Sequence, residues 1–246
     1  MICRVFSTLV AVLVFLFSVQ PSFAEFYVSG NIGMLFLPDR ETTETFPIEM
    51  GWYNSDANSV TGGSFTSTEE FDEGIRITGA IGTHIFDAVR VEFEAGYAKN
   101  HYRSTATWEW DFEDSGGYGD TNYAIDSYSA LQLDGDLTSW TFMGNAFYDF
   151  QVSNKFKPYI GAGLGISDLR IKLKISESYY VYGGNYSVNE HDTLFSYQFM
   201  TGISYELTEK TSIDLQYRYL KTKTPDFLSG NSFYYQGALV GVRRSF

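Results

Sequence analysis

Six charged residues stand where they could do chemistry together. Arg76, the run Arg90, Glu92 and Glu94, and the pair Asp214 and Arg218 each alternate with apolar side chains. Successive side chains of an extended chain point to opposite faces, so each set falls on one face of a strand and its apolar neighbours on the other. Charged faces gathered around one interior can form an ion-pair network, a narrow gated ion path, or a carboxylate pair for acid–base work. The last needs a nucleophile beside the carboxylates, and none is placed there. The three histidines are the other reactive groups. His101 stands near Ser104, and His191 lies between Glu190 and Asp192, which raises a hydrolase or acyltransferase centre. Neither set has the spacing of such a motif, His84 falls in a short turn, and three scattered histidines give no metal-ligand spacing. The expectation is a protein that is not an enzyme, with no catalytic residues, metal or cofactor, whose six charged residues form an internal network.

The elements that must position these residues are eight segments of period-two alternation. Phe26, Val28, Ile32, Met34 and Phe36 share one face of the first, and Ile75, Ile77 and Ile81 of the second. Val89, Val91, Phe93, Ala95 and Tyr97 mark the third, and Trp140, Phe142, Ala146 and Tyr148 the fourth. The fifth shows Ile160, Ala162, Leu164 and Ile166 against glycines, and the sixth Phe195, Tyr197, Phe199, Ile203 and Tyr205. Ile213, Leu215, Tyr217 and Tyr219 make the seventh, and Ala238, Val240 and Val242 the eighth. In the fifth the apolar parity slips after Ile166 to Leu169, Ile171, Leu173 and Ile175, which predicts a β-bulge at Ser167 or Asp168. Alternation in Thr105, Thr107, Trp108 and Trp110 implies that several strands run on beyond the eight segments, and ten strands remain open.

A soluble sandwich also alternates, so the surroundings of the segments decide between the two. Arg4 precedes an apolar run from Val5 to Val19 that is too short to span a bilayer, and Ser22 and Ala24 flank Phe23 as a signal peptidase requires. Residues 1–24 therefore read as a cleavable signal peptide and 25–246 as one domain. No later stretch approaches the ~18 apolar residues of a transmembrane helix. Cys3, the only cysteine, leaves with the leader, so no disulfide is expected. With 19 Tyr, 21 Phe and 23 Gly against 5 Pro, the composition favours twisted strands and aromatic girdles. A net charge of -13 argues against nucleic acid, which selects basic grooves. Connections alternate between long and short, the pattern of an outer-membrane barrel with long loops outside and both termini in the periplasm. The fold expected is all-β: a transmembrane, antiparallel, up-and-down barrel of eight strands with long extracellular hairpins.

Lys157-Pro158-Tyr159-Ile160-Gly161-Ala162-Gly163-Leu164-Gly165, the stretch Ser212–Tyr219 and the terminal Phe246 after Gly241-Val242 carry a resemblance over the whole mature chain. They resemble the small outer-membrane barrels that include the OmpA transmembrane domain, Opa-type opacity proteins and related bacterial surface antigens. The resemblance implies that Phe246 is the signal read by the outer-membrane assembly machinery, and that lipid and lipopolysaccharide surround the barrel. The chain is expected to stop at the barrel, without the peptidoglycan-binding domain of OmpA. Arg244 departs from the pattern, standing on the apolar parity of Val242 and Phe246, where it can snorkel to the interface.

The long connections are acidic and aromatic, and Trp108, Trp110, Tyr179 and Tyr180 are the candidate binding residues there, with Trp52, Tyr53 and Tyr118 of the same kind. Exposed aromatics beside acid suit a solvated surface or a surface that binds a host-cell or matrix ligand. The reading is an outer-membrane surface protein with a structural or adhesin-like role; a small gated pore for ions or apolar solutes is the alternative.

Overall fold

The computed structural model describes residues 26–47, 58–114, 128–153, 155–176, 186–225 and 233–246, and every regular element among them is a strand. These are β1 (Phe26–Phe36), β2 (Arg40–Pro47), β3 (Asn58–Phe71), β4 (Gly74–Phe86), β5 (Val89–Asp114), β6 (Tyr128–Asp149), β7 (Phe156–Ser176), β8 (Tyr186–Thr208), β9 (Thr211–Thr222) and β10 (Phe233–Ser245). The leader at 1–24 lies outside the described residues, as do Trp52, Tyr53, Tyr118, Tyr179 and Tyr180.

Eight strands close a ring in the order β1, β4, β5, β6, β7, β8, β9, β10 and back to β1, every pair antiparallel. The closing pair runs from Tyr27 opposite Ser245 to Phe36 opposite Gln236, and the Phe246 amide donates to the Phe26 carbonyl at 3.0 Å. Closure matters because a sheet edge in hydrocarbon would leave backbone donors and acceptors unpaired. β2 and β3 are not ring members. They form a hairpin whose β3 arm pairs with the far half of β5, from Phe71 opposite Tyr102 to Asn58 opposite Asp114. Ten strands and an eight-membered ring are therefore the same molecule.

The outward face bears the residues that alternation selected. Ile81, Leu164 and Leu215 are each at least 60% exposed, alongside Ile32, Ile77, Phe93, Phe142, Ile160, Phe199 and Val240. A continuous apolar band of this kind cannot face water and is the lipid-facing surface of a barrel. On β7 it runs from Pro158 to Ile166, within the ~9–11 residues that a tilted strand needs to cross. Its rims carry paired aromatic rings, Tyr97 with Trp140 at one end and Tyr148 with Phe150 at the other, at centroid distances of 5.0 Å each.

Strand lengths separate the two ends. Short connections join β4 to β5, β6 to β7 and β8 to β9 at the end that also holds Phe26 and Ser245. At the other end β5 is 26 residues long, and β6, β7 and β8 are 22, 21 and 23. These strands pass well beyond the band and stay hydrogen-bonded to each other as a wall: Trp108 still pairs with Tyr128, and Gln132 with Ser176. Much of the connection expected between Arg103 and Asp134 is thus strand.

The bulge expected at Ser167 or Asp168 is absent. β7 keeps one register with β6 and with β8 through both residues. What changes there is the environment. Below, Ala162, Leu164 and Ile166 face lipid; above, the outward positions are Asp168, Arg170, Lys172 and Lys174, and Leu169 and Ile171 are buried inside. The apolar parity moves because dryness moves from outside the barrel to inside it.

Candidate functional site

The barrel interior holds all six charged residues singled out by alternation. Arg218 is fully buried and grips Glu94 with both terminal nitrogens, its Nη2 lying 2.6 Å from Oε2. A bidentate guanidinium–carboxylate contact is the strongest form of this pair. Arg76 reaches the same carboxylate at 3.6 Å, and donates to the Tyr235 hydroxyl and to Thr141 Oγ1 at 2.7 Å each. Arg218 also donates to Gln198 Oε1 (3.2 Å) and Gln216 Oε1 (2.9 Å). From Gln198 the chain of bonds continues to Asn145 Oδ1 at 2.7 Å, and the Asn145 amide donates to Glu92 at 3.1 Å. Glu92 accepts from the Tyr27 hydroxyl at 3.1 Å and lies 3.8 Å from Arg90.

Two partners escaped the sequence reading. Arg90 donates Nε to both oxygens of Asp149 at 3.1 Å, and its guanidinium lies 3.9 Å from the centre of the Phe147 ring. Asp214 meets Arg243, not Arg218, at 3.2 Å, and Arg243 also donates to Ser204 Oγ at 2.7 Å. Both missed residues stand on inward parity, Asp149 with Asn145 and Arg243 with Gly241, so parity was the signal that could have found them. Within this network the charges balance, with arginines 76, 90, 218 and 243 against carboxylates 92, 94, 149 and 214, and Glu69 is a further buried carboxylate towards the long-strand end. Unpaired ions in a dry interior would be very costly, and this balance offsets that cost. Close approach is possible because Gly96 has no Cβ: one there would lie 2.6 Å from Thr141 Oγ1 and 2.8 Å from Arg76 Nη2.

Further towards the long-strand end the interior holds an apolar cluster, with the side chains of Glu69, Asn100, Ser104 and Ser139 also buried there. Leu35, Leu37, Phe71, Ala98, Tyr102, Leu137, Met143, Leu169, Ile171, Leu220, Phe233 and Tyr235 form one buried cluster, with Leu173 and Leu194 packed against it. Phe71 packs against Tyr102 in a tilted contact, with ring centroids 5.1 Å apart. A packed apolar layer lies across the interior, and below it the arginines fill the space that eight strands enclose.

The histidine sets are split by parity. His101 points outward to Asp134 (3.3 Å) and Asp136 (3.8 Å), while Ser104 is buried. His191 stands opposite Arg170 in register, whereas Asp192 stands opposite the buried Leu169. Among the described residues neither histidine is brought to a serine. Trp108 and Trp110 are in β5, opposite Phe65 and Gly63 of β3. Phe246 is 67% exposed.

A match to a family model agrees with this architecture. A family model described as outer membrane protein beta-barrel domain matches residues 9–246. An uncharacterised protein of Brucella abortus is 25% identical over 237 residues, covering 88% of this chain and 72% of that protein. Outer membrane protein PagN of Salmonella typhimurium is 32% identical over 80 residues, 32% of this chain and 33% of PagN. The solved structure of Neisserial surface protein A aligns with a TM-score of 0.46 at 17% identity, over 91% of this chain and 99% of the other.

Proposed function

The chain belongs to the outer membrane protein beta-barrel domain family, and from that premise we propose that it is a non-enzymatic surface protein whose binding function resides in the wall of strands beyond the lipid band. In this reading residues 1–24 are removed on export, Phe246 is read by the assembly machinery, the short turns and both termini are periplasmic, and the wall projects from the cell to a host-cell or matrix ligand. The observation that carries it is that β5 to β8 continue as a paired sheet past the band while the interior beneath them is filled. A protein serving as a conduit has no use for a packed apolar layer across its lumen. One built to hold a surface away from the membrane gains from both features. Trp108 and Trp110 are in β5 within that part, and this reading assigns to it the acidic connections and Tyr179 and Tyr180, which lie outside the described residues.

Replacing residues 104–133 by a two-residue turn tests the assignment. The cut spares Tyr102, which packs against Phe71 in the interior cluster. Heat-modifiable electrophoretic mobility should show a folded barrel. Attachment of cells displaying it to host cells, matrix proteins or one another should fall to background. Undiminished attachment by a folded variant would exclude this part of the wall as the binding element.

A further inference from the structure

Arg244 breaks the apolar parity of β10 at the short-turn end. Val240, Val242 and Phe246 share its outward face and are exposed with it, and in register it stands opposite Val28, a lipid-facing residue of β1. Every other arginine of the described residues has a partner. Arg103 and Arg170 hold carboxylates, Arg40 lies over the Phe233 ring, and arginines 76, 90, 218 and 243 belong to the interior network. Arg244 makes no ion pair and no side-chain hydrogen bond among the described residues. A guanidinium at the edge of hydrocarbon reaches for the interface, and its donors are left to whatever lies there.

From Arg244 into the band the outer surface is hollow. An open groove of about 410 Å³ runs across β4, β1, β10 and β9, lined by Gly30, Ile32, Ile77, Ile213, Val240 and Val242. Val242 is the next outward residue after Arg244 along β10, roughly 6.6 Å away. Two glycines make the hollow. Gly30 and Gly79 stand opposite each other in register and both face outward. A Cβ on either would meet nothing nearer than a backbone oxygen at 3.9 or 4.0 Å. At the inward Gly33 and Gly165 a Cβ would instead collide with the backbone of the neighbouring strand. Inside, close packing requires glycine; outside, its missing side chain leaves room between Val28 and Ile32 on β1 and between Ile77 and Ile81 on β4. The groove has the ~300–1,000 Å³ of a small-ligand site, and its side chains are apolar, which suits an acyl chain.

We propose that this face binds one anionic diacyl glycerophospholipid of the periplasmic leaflet, phosphatidylglycerol, with its phosphodiester on the Arg244 guanidinium and one acyl chain in the groove. The guanidinium fork matches a pair of phosphate oxygens. A single uncompensated cation favours a headgroup with one net negative charge over a zwitterionic one. A lipid seated there lies across β1 and β10, the pair that closes the ring.

The choice of leaflet rests on the periplasmic placement of the short turns proposed above, and that placement is tested apart from binding. A Lys210→Cys variant on intact cells should stay unlabelled by a maleimide too large to cross the outer membrane, and react after lysis. Labelling on intact cells overturns the leaflet, whatever the binding. Binding is read on the full chain, refolded from urea so that cellular assembly plays no part, in phosphatidylcholine nanodiscs doped equally with phosphatidylglycerol and phosphatidylethanolamine, by native mass spectrometry. Wild type should retain phosphatidylglycerol in preference. Arg244→Gln should weaken that retention about fivefold or more. Gly30→Leu, which fills the groove and spares the arginine, should cause a comparable loss, and Gly79→Leu is the second groove variant if the first lacks the heat-modifiable mobility of a folded barrel. Lys155→Gln, which removes an exposed cation from the β6–β7 turn, should leave retention within about twofold. Equal retention of the two doped lipids by wild type, or unchanged retention by Arg244→Gln or by a folded groove variant, overturns the proposal.

Discussion

Towards the short turns the barrel is filled by four arginines and four carboxylates joined through Tyr27, Asn145 and Gln198; a few residues further along the same strands it is filled by Leu35, Leu137, Leu169, Ile171 and Leu220. Both halves are buried, but they tolerate error differently. Apolar packing loses stability in proportion to the atoms removed. An ion network fails discontinuously, because removing one member strands its partners without water. The charged half is therefore the less tolerant of a single substitution, and the apolar half the more tolerant.

Glu94→Ala should have the largest effect, since it strands both Arg76 and Arg218. Urea unfolding from lipid vesicles should show a loss of about 3–5 kcal/mol. Replacing all three together, Arg76→Met with Glu94→Leu and Arg218→Met, should cost less than the single change. If the triple variant is the less stable, the charged half is held by the ion pairs themselves and not by volume. Next comes Leu220→Ala, fully buried in the apolar half, at about 2–5 kcal/mol by the same assay. A cost near zero would mean that this half is loosely packed.

Ala162→Arg sharpens the contrast between inside and outside. Ala162 lies midway along the lipid-facing stretch of β7, where an arginine should cost about 2–4 kcal/mol. Ala162→Leu at the same place should be nearly neutral, and equal stability of the two would invert the assignment of faces. Deleting Phe246 should disturb stability least. It removes one exposed ring and the hydrogen bond to Phe26. Its expected effect is on the amount of barrel inserted in cells, so unchanged insertion would contradict a recognition role for this residue.

Parity read along the chain was enough to place Arg76, Arg90, Glu92, Glu94, Asp214 and Arg218 inside and Ile77, Phe93, Leu164 and Leu215 outside. The reason is local: side chains of a strand alternate whatever its neighbours are. The same rule went wrong at Ser167 and Asp168, where a change of apolar parity suggested a bulge. Parity reports which face is dry, and only the fold shows that the dry side passes from the lipid face to the interior as β7 leaves the membrane. Nor could the chain alone say that Asp214 belongs to Arg243 and Arg218 to Glu94. Glu94 and Arg218 come from strands 124 residues apart, and their meeting depends on how the ring closes, while Asp214 and Arg243 meet diagonally across the paired strands β9 and β10, where the stagger decides. Sequence by itself thus determined the strands and their two faces. The tertiary structure decided which charges neutralise one another, because ion pairing depends on distance across the barrel and not along the chain.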